Sequence, residues 1–261
     1  MARLRRARVV VAGLGAVGSY AVEGLARAGV GALRLFDFDT IHASNINRQL
    51  YALESTIGRL KVEVAAERVR EIHPECAVEA CPLFIGADTI GRVLEGSPDA
   101  VIDAIDSLSP KVRLLAAAAQ AGLYTVSSMG AATRTDPLAI RVGDLAATER
   151  CPLARLIRKR LRKFKVTSGI RCVYSVEPAR PGRDSAEPDA AEEPDALRRG
   201  RMRRPLGSLS VLTGMFGLIA AREVIFHIAQ PHCANGAACD RLRPDDGNAD
   251  ASTAEHTPDL D

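Results

Sequence analysis

VVVAGLGAVG, residues 9–18, carries the strongest fold signal in the chain. Three valines followed by Ala12 make a short apolar run with the length and β-branching of a buried strand. Gly13, Gly15 and Gly18 then stand at Gly-x-Gly-x-x-Gly spacing, and Ala16 to Ala28 carries helical periodicity. Strand, glycine turn and helix in that order is the context in which this spacing acquires meaning. The first glycine permits the tight turn, the second lets backbone approach a phosphate, and the third lets the helix pack close to the strand. Amides at the helix N-terminus then face the anion. Taken alone, the run predicts any nucleotide or dinucleotide site.

On either side of that turn, apolar runs alternate with helix-period segments from residue 7 to about residue 177, the pattern of an α/β fold with a Rossmann-like, mostly parallel sheet flanked by helices. The predicted strands are Ala7 to Ala12, Ala32 to Asp37, Val78 to Phe84, Ala100 to Ala104, Tyr124 to Ser128 and Ala139 to Val142. Helical spacing marks Lys61 to Ile72, Lys111 to Ala121 and Pro152 to Lys165. Residues 1–177 thus read as one nucleotide-binding domain, which the polar set and the resemblance given below make an ATP-binding adenylating domain. Residues 178–205, rich in Pro, Glu, Asp and Arg, lose periodicity and read as a flexible loop or insertion. An apolar helix within residues 206–229 completes the same domain, and residues 230–261 read as a disordered tail.

Composition narrows the function classes. With 47% hydrophobic residues the chain fills a sizeable core, while 4% aromatics and no Trp disfavour a stacking-based single-strand binder. The net charge of +3 is unremarkable, but its distribution is not: four arginines lie in the first eight residues and seven basic residues lie between Arg155 and Lys165. Such runs suggest a polyanionic partner. The six cysteines never form a Cys-x-x-Cys pair, so no zinc site is expected and the thiols read as structural in a reducing cytoplasm. No signal peptide is read, because the arginine-rich start runs directly into the first strand. Gly207 to Ala221 is uncharged for fifteen residues before Arg222 and Glu223 interrupt it. That is short of the ~20 residues of a bilayer span. A buried helix is expected there, no stable membrane insertion, with peripheral contact through residues 207–229 left open.

Asp37, nineteen residues after Gly18, ends the second strand, where a carboxylate can hold ribose hydroxyls. A dehydrogenase shares everything to this point. The sequence parts from that reading at Asp37-Phe-Asp39, Ser44-Asn45-Ile-Asn47-Arg48-Gln49 and Lys61, a dense polar and basic set suited to neutralising a triphosphate as pyrophosphate departs. Asp103-Ala-Ile-Asp106-Ser107 closes the fourth strand, and a carboxylate at that edge is well placed for Mg²⁺. Asp103 reads either as an acid supporting this site or as a strand-end residue bonded to backbone. Asp39 either touches magnesium indirectly or shapes its turn.

GLGAVG, DFD, SNINRQ, Lys61 and DAID together resemble the ubiquitin-activating-type adenylating enzymes, which include the activators of small sulfur-carrier proteins. The resemblance spans roughly residues 8–177 and the late apolar helix. It implies that Gly13, Gly15 and Gly18 lie under ATP phosphates, Asp37 holds the ribose, Asn45, Arg48 and Lys61 contact the triphosphate, and Asp106 takes the magnesium role with Asp39 and Ser107 beside it. Arg48, Lys61 and Asp106 are the expected catalytic residues, and ATP and Mg²⁺ the cofactors. The segments at 128–133, 136–146 and 171–177 are similar to the branch that dehydrates N6-threonylcarbamoyladenosine at position 37 of tRNA through an acyl-adenylate.

The helix from Pro152 supports that branch. Leu153, Leu156, Ile157, Leu161 and Phe164 predict its apolar face, while Arg155, Arg158, Lys159, Arg162 and Lys163 crowd the rest with no acid among them. A solvated face ordinarily mixes signs, so phosphate-backbone binding to tRNA is expected at these five. Rival readings are adenylation of the C-terminus of a ubiquitin-like sulfur carrier and a non-catalytic nucleotide-binding scaffold. The resemblance further implies a homodimer, in which an arginine of an N-terminal arm reaches the neighbouring ATP, and it leaves room for a sulfur-transfer protein partner. Only Met1 to Arg6 precede the first strand here. Either Arg3, Arg5 or Arg6 takes that role, or the start lies upstream, or the site is weakened. Cys172, inside the β-like run Cys172 to Val176, reads as a buried thiol rather than a nucleophile. His42, His73 and His227 have no evident partner that would make a base of them.

Overall fold

The computed structural model describes residues 1–178 and 207–230. The expected insertion over 178–205 and tail over 230–261, with Cys233 and Cys239, lie outside the described residues apart from their bounding positions. In chain order the elements are α1 (Ala2–Arg6), β1 (Arg8–Ala12), α2 (Gly18–Arg27), β2 (Ala32–Phe36), α3 (Lys61–Ile72), β3 (Ala77–Cys81), α4 (Ile90–Val93), β4 (Ala100–Asp103), α5 (Leu108–Gln120), β5 (Tyr124–Ser128), β6 (Ile140–Asp144), α6 (Pro152–Leu161), β7 (Arg171–Ser175) and α7 (Ser210–Ala229).

The strands form one sheet in the order β3-β2-β1-β4-β5-β7-β6. All neighbours are parallel except β6 with β7. The alternating side chains of β1 explain why both faces must be covered: Val9 and Val11 join a core with α2, α3 and α7, while Val10 and Ala12 join a core with α4 and α5. A third cluster packs α6 against α5 and β7. Parallel strands buried on both sides need continuous apolar runs, and VVVA is one. Strand order reverses between β1 and β4, and the crevice beyond such a fork is where open α/β sheets take ligands.

The structure departs from the sequence reading at several boundaries, among them α5, which begins at Leu108 rather than Lys111, and β6, which runs over Ile140–Asp144, and it adds the short α4. A seventh strand, β7, enters between β5 and the edge strand β6, so the run around Cys172 is central. The β-like run at Cys172 to Val176 is this strand, and only its place in the sheet, set by non-local pairing, has no signature in the sequence. β3 ends at Cys81 rather than Phe84, because Phe84 leaves the ladder to pack edge-on against Phe38, ring centroids 5.1 Å apart. The α6 helix ends at Leu161 and tightens into a 3-10 turn over Arg162–Phe164. Its buried stripe is Ala154, Ile157 and Leu161, whereas Leu156 and Phe164 are about two-fifths exposed. Residues 2–6 form a short helix anchored by buried Leu4.

The α7 helix is long and apolar enough to cross a membrane by length and composition, yet half of that apolar window is buried inside the fold. Glycines let it lie against α2: a Cβ at Gly217 would stand 2.2 Å from the Val17 carbonyl oxygen, and one at Gly214 3.1 Å from the Tyr20 ring.

Candidate functional site

The site begins at the turn after β1. Gly13 takes a φ of +88°, a left-handed conformation that glycine adopts without the Cβ penalty. A Cβ there would also stand 2.8 Å from the Ala104 carbonyl oxygen, and one at Gly18 would stand 1.8 Å from the Gly13 carbonyl oxygen. The turn therefore closes tightly on itself and rests on the residue after β4. The Gly13 N–H donates to the Phe36 carbonyl at 2.7 Å, and the Leu14 N–H to Asp37 Oδ2 at 2.7 Å. Asp37 Oδ1 accepts from the Asp39 N–H at 2.9 Å. The acid that the sequence assigns to a ribose is thus also the anchor that fixes the glycine turn to β2. Burial pushes the Asp37 carboxyl above its ordinary range, and Lys61 with the two amides opposes that shift.

Lys61 opens α3 almost wholly buried. Its Nζ donates to Asp39 Oδ2 at 2.9 Å, and its N–H donates to the Asp39 carbonyl at 3.1 Å. Asp39 remains half exposed. The ammonium is held at the rim of the site with its charge offset by an acid that an incoming phosphate can displace. The turn before Arg48 is built by Asn45, which is buried and accepts the His42 N–H on Oδ1 at 3.1 Å. Arg48 Nη1 donates to the Ser44 carbonyl at 2.7 Å and to Asn47 Oδ1 at 2.8 Å, so its guanidinium lies against its own loop. Asp106 is exposed at the turn after β4 and accepts from Ser107 Oγ at 3.3 Å.

Ser19 and Tyr51 escaped sequence reasoning as parts of this site, and Gln49 enters it only as a member of the SNINRQ motif. The Ser19 hydroxyl donates to the Gly15 carbonyl at 2.7 Å and accepts the Leu50 N–H at 3.2 Å, and Tyr51 donates to the Ser19 carbonyl at 3.0 Å. Gln49 Nε2 stands 3.8 Å from where a Gly15 Cβ would lie. The SNINRQ loop is in this way stitched to the start of α2. The only sequence signal was the motif itself, which does not say what each member touches. Asp103 resolves into a buried acid: its carboxylate takes Ser127 Oγ at 2.6 Å and Lys111 Nζ at 2.7 Å. Lys111 carried no mark in the sequence beyond its place in a helix.

Cys172 has no exposed surface, and burial pushes its thiol far above the ordinary range. Cys76, Cys81 and Cys151 are likewise buried and free, burial lifting the Cys81 thiol to about 11. None has the accessible, electropositive setting that makes a nucleophile.

The basic helix forms a separate surface, its apolar stripe packed on α5 and β7. Arg158 differs from expectation. Its Nη1 donates to the Leu145 carbonyl at 3.1 Å, the Thr148 carbonyl at 2.8 Å and the Thr148 hydroxyl, which commits that group to bracing the loop after β6. Arg155, Lys159, Arg162 and Lys163 are exposed and form no ion pair with a described residue.

Comparison with known proteins gives the geometry its relatives. A family model described as "ThiF family" matches residues 1–251. The chain is 34% identical over 225 residues to the tRNA threonylcarbamoyladenosine dehydratase of Bacillus subtilis, covering 86% of this chain and 88% of that one. It is similar at a TM-score of 0.75 and 35% identity to the crystal structure of the Escherichia coli tRNA N6-threonylcarbamoyladenosine dehydratase in complex with ATP, covering 86% of each chain. The molybdopterin-synthase adenylyltransferase of Salmonella typhimurium is 37% identical, but over 47% of this chain and 47% of its own length.

Proposed function

This chain belongs to the ThiF family, and we propose that within it the protein is the enzyme that dehydrates N6-threonylcarbamoyladenosine at position 37 of tRNA at the expense of ATP. It is an ATP-using adenylating enzyme. The single observation that carries the substrate is the extent of likeness: dehydratases match over more than four-fifths of the chain, whereas the molybdopterin-synthase adenylyltransferase matches under half.

The threonyl carboxylate attacks the α-phosphorus of ATP, the bond to the β-phosphate oxygen breaks, and pyrophosphate leaves. An internal nucleophile of the threonylcarbamoyl group then attacks the activated carbonyl, loses its proton to solvent, and AMP departs with the former carboxylate oxygen. The net change in the nucleoside is loss of one water. The glycine-turn amides and the N-terminus of α2 bind phosphate oxygens, Asp37 orients the ribose, and Asn45, Arg48 and Lys61 bear on the triphosphate. Lys61 leaves Asp39 for a phosphate oxygen, which places a buried positive charge where negative charge develops. Arg48 swings from its own loop on nucleotide binding, since its present partners are a carbonyl and an amide that a phosphate outcompetes.

Among the described residues no group of three or more His, Cys, Asp or Glu could hold a metal unaided. Magnesium is held by one or two carboxylates together with substrate phosphates, and Asp106 offers an exposed carboxylate beside the glycine turn. Asp106, with Ser107 beside it, would hold the ion, which supplies charge neutralisation of the triphosphate. Arg155, Lys159, Arg162 and Lys163 contact tRNA phosphates. We place the enzyme in the cytoplasm as a homodimer, with a sulfur-transfer protein as a further partner.

Incubation of the protein with ATP, Mg²⁺ and tRNA bearing threonylcarbamoyladenosine, followed by nucleoside mass spectrometry, tests the reading. Loss of one water with stoichiometric AMP is expected. An unchanged nucleoside mass, with pyrophosphate exchange stimulated instead by a ubiquitin-like sulfur carrier, would replace it by the sulfur-carrier reading.

A further inference from the structure

A buried ion pair stands behind the site, where a sheet and a helix ordinarily meet through apolar side chains. Lys111 and Asp103 have no exposed side-chain surface, and Lys111 Nζ lies 2.7 Å from Asp103 Oδ2. That same oxygen accepts from Ser127 Oγ at 2.6 Å. Taking two charges out of water is costly, and an apolar pair of similar volume holds a core together as well or better. Stability alone is a weak reason for these residues.

Their local work is specific. Asp103 Oδ1 accepts the Ile105 N–H at 3.1 Å, and Lys111 Nζ donates to the Ile105 carbonyl at 3.0 Å. The peptide units on both sides of Ile105 are therefore clamped, and the residue that follows is Asp106. The Ala104 N–H donates to the Ala12 carbonyl at 2.8 Å, and Gly13 is so close to this segment that a Cβ on it would stand 3.1 Å from the Ile105 nitrogen. The clamped segment is the one on which the glycine turn rests.

We propose that Lys111 and Asp103, completed by Ser127, are positioning residues that hold residues 104–106 in register with the glycine turn and thereby set where Asp106 meets the nucleotide. This rests on the reading of Asp106 as a nucleotide-side acid. None of the three touches substrate; each acts through Ile105. An apolar replacement would preserve a merely stabilising role and abolish a positioning one.

The test is a triple variant, Asp103→Leu, Lys111→Met and Ser127→Ala, which removes both charges and the hydroxyl together. Expected are a fold and melting temperature close to the parent, a KM for ATP within about threefold, and a kcat for AMP release lower on the order of 100-fold, the cost of misplacing a catalytic group by about an ångström. Amide hydrogen exchange, measured without nucleotide or tRNA, should quicken at Ile105 and Asp106 in the variant. A parental kcat, or unchanged exchange at Ile105, overturns the proposal. The parent protein decides independently of any variant: its Ile105 amide should exchange as slowly as those of β4, and exchange at the rate of an open loop overturns the clamp. Should the parent release no AMP with modified tRNA, it is the functional reading that fails, while the exchange result still judges the clamp.

Discussion

At Asp37 one carboxylate already holds the glycine turn in place, and this bears on the ribose role proposed for it. Both oxygens already accept backbone N–H groups, from Leu14 and from Asp39, so the acid orients the glycine turn before any ribose arrives. Lys61 is the main influence lowering its raised pKa. Replacing Lys61 by Ala should therefore raise the Asp37 pKa further. Nucleotide binding that needs the ionised acid is lost as pH falls through that pKa, so the acid limb of ATP binding should move to higher pH in the variant; a titration of nucleotide binding against pH reads this directly. Lys61→Ala and Asp106→Ala should each lower AMP formation by about 10²- to 10³-fold, the range for removing one preorganised electrostatic contact. Stability should change little for Asp106→Ala, since Asp106 is exposed, and fall modestly for Lys61→Ala, which removes a buried stem along with a pair to half-exposed Asp39. AMP assays paired with thermal melts check both, and retained activity in either variant would remove the role assigned to that residue.

Among elements, α7 and α6 take packing partners that their composition does not specify. Helix α7 is long and apolar enough to cross a membrane by composition, yet its glycines mark it as a packing partner of α2, the helix that follows the glycine turn. Gly217→Ala would thrust a methyl group to 2.2 Å from the Val17 carbonyl oxygen and 2.9 Å from the Ala21 nitrogen, so α7 must shift. Overpacking of this kind costs about 1–3 kcal/mol. A clear drop in melting temperature is expected, along with weaker ATP binding. Gly91→Ala in α4, where a Cβ meets open space, should stay within about 0.5 kcal/mol and serves as the control. The basic residues of α6 and of the 3-10 turn after it divide by environment, Arg158 bonded to the loop after β6 and Arg155, Lys159, Arg162 and Lys163 exposed. Reversing charge at Lys159 and Arg162 should weaken tRNA binding and flatten its salt dependence by roughly one unit of log-log slope for each phosphate that is no longer neutralised. Arg158→Ala should instead loosen the loop at Leu145 to Thr148 and lower stability, with the salt slope nearly unchanged, because its Nη1 is bonded to that loop. Filter binding across a salt series, with a melt for each variant, separates the two effects.

For the whole molecule, the decisive feature is that the ends of β2, β1 and β4 lie side by side at the point where strand order reverses, which gathers Asp37, the glycine turn and Asp106 from three distant parts of the chain. A ligand spanning those strand ends ties the centre of the sheet together. ATP at 100 times its Kd should stabilise the protein by about 2.7 kcal/mol, seen as a raised melting temperature, with hydrogen-exchange protection at all three strand ends rather than at the glycine turn alone. The parallel α/β class, the Gly13 turn and the α3 boundaries at Lys61 and Ile72 were legible in the sequence because each rests on neighbours within one turn or one strand, where periodicity and glycine spacing act. The motif residues Asn45, Arg48, Lys61 and Asp106 stand out in the sequence by type and order, and the nucleotide role proposed for them is what the variants above test. Tertiary packing alone set the insertion of β7 between β5 and β6, the use of Arg158 as a brace, the exposure of Leu156 and Phe164, and the Lys111–Asp103 pair behind Asp106. Each of these depends on which distant segment packs opposite, and a side chain's partner across the fold leaves no trace in the residues beside it along the chain.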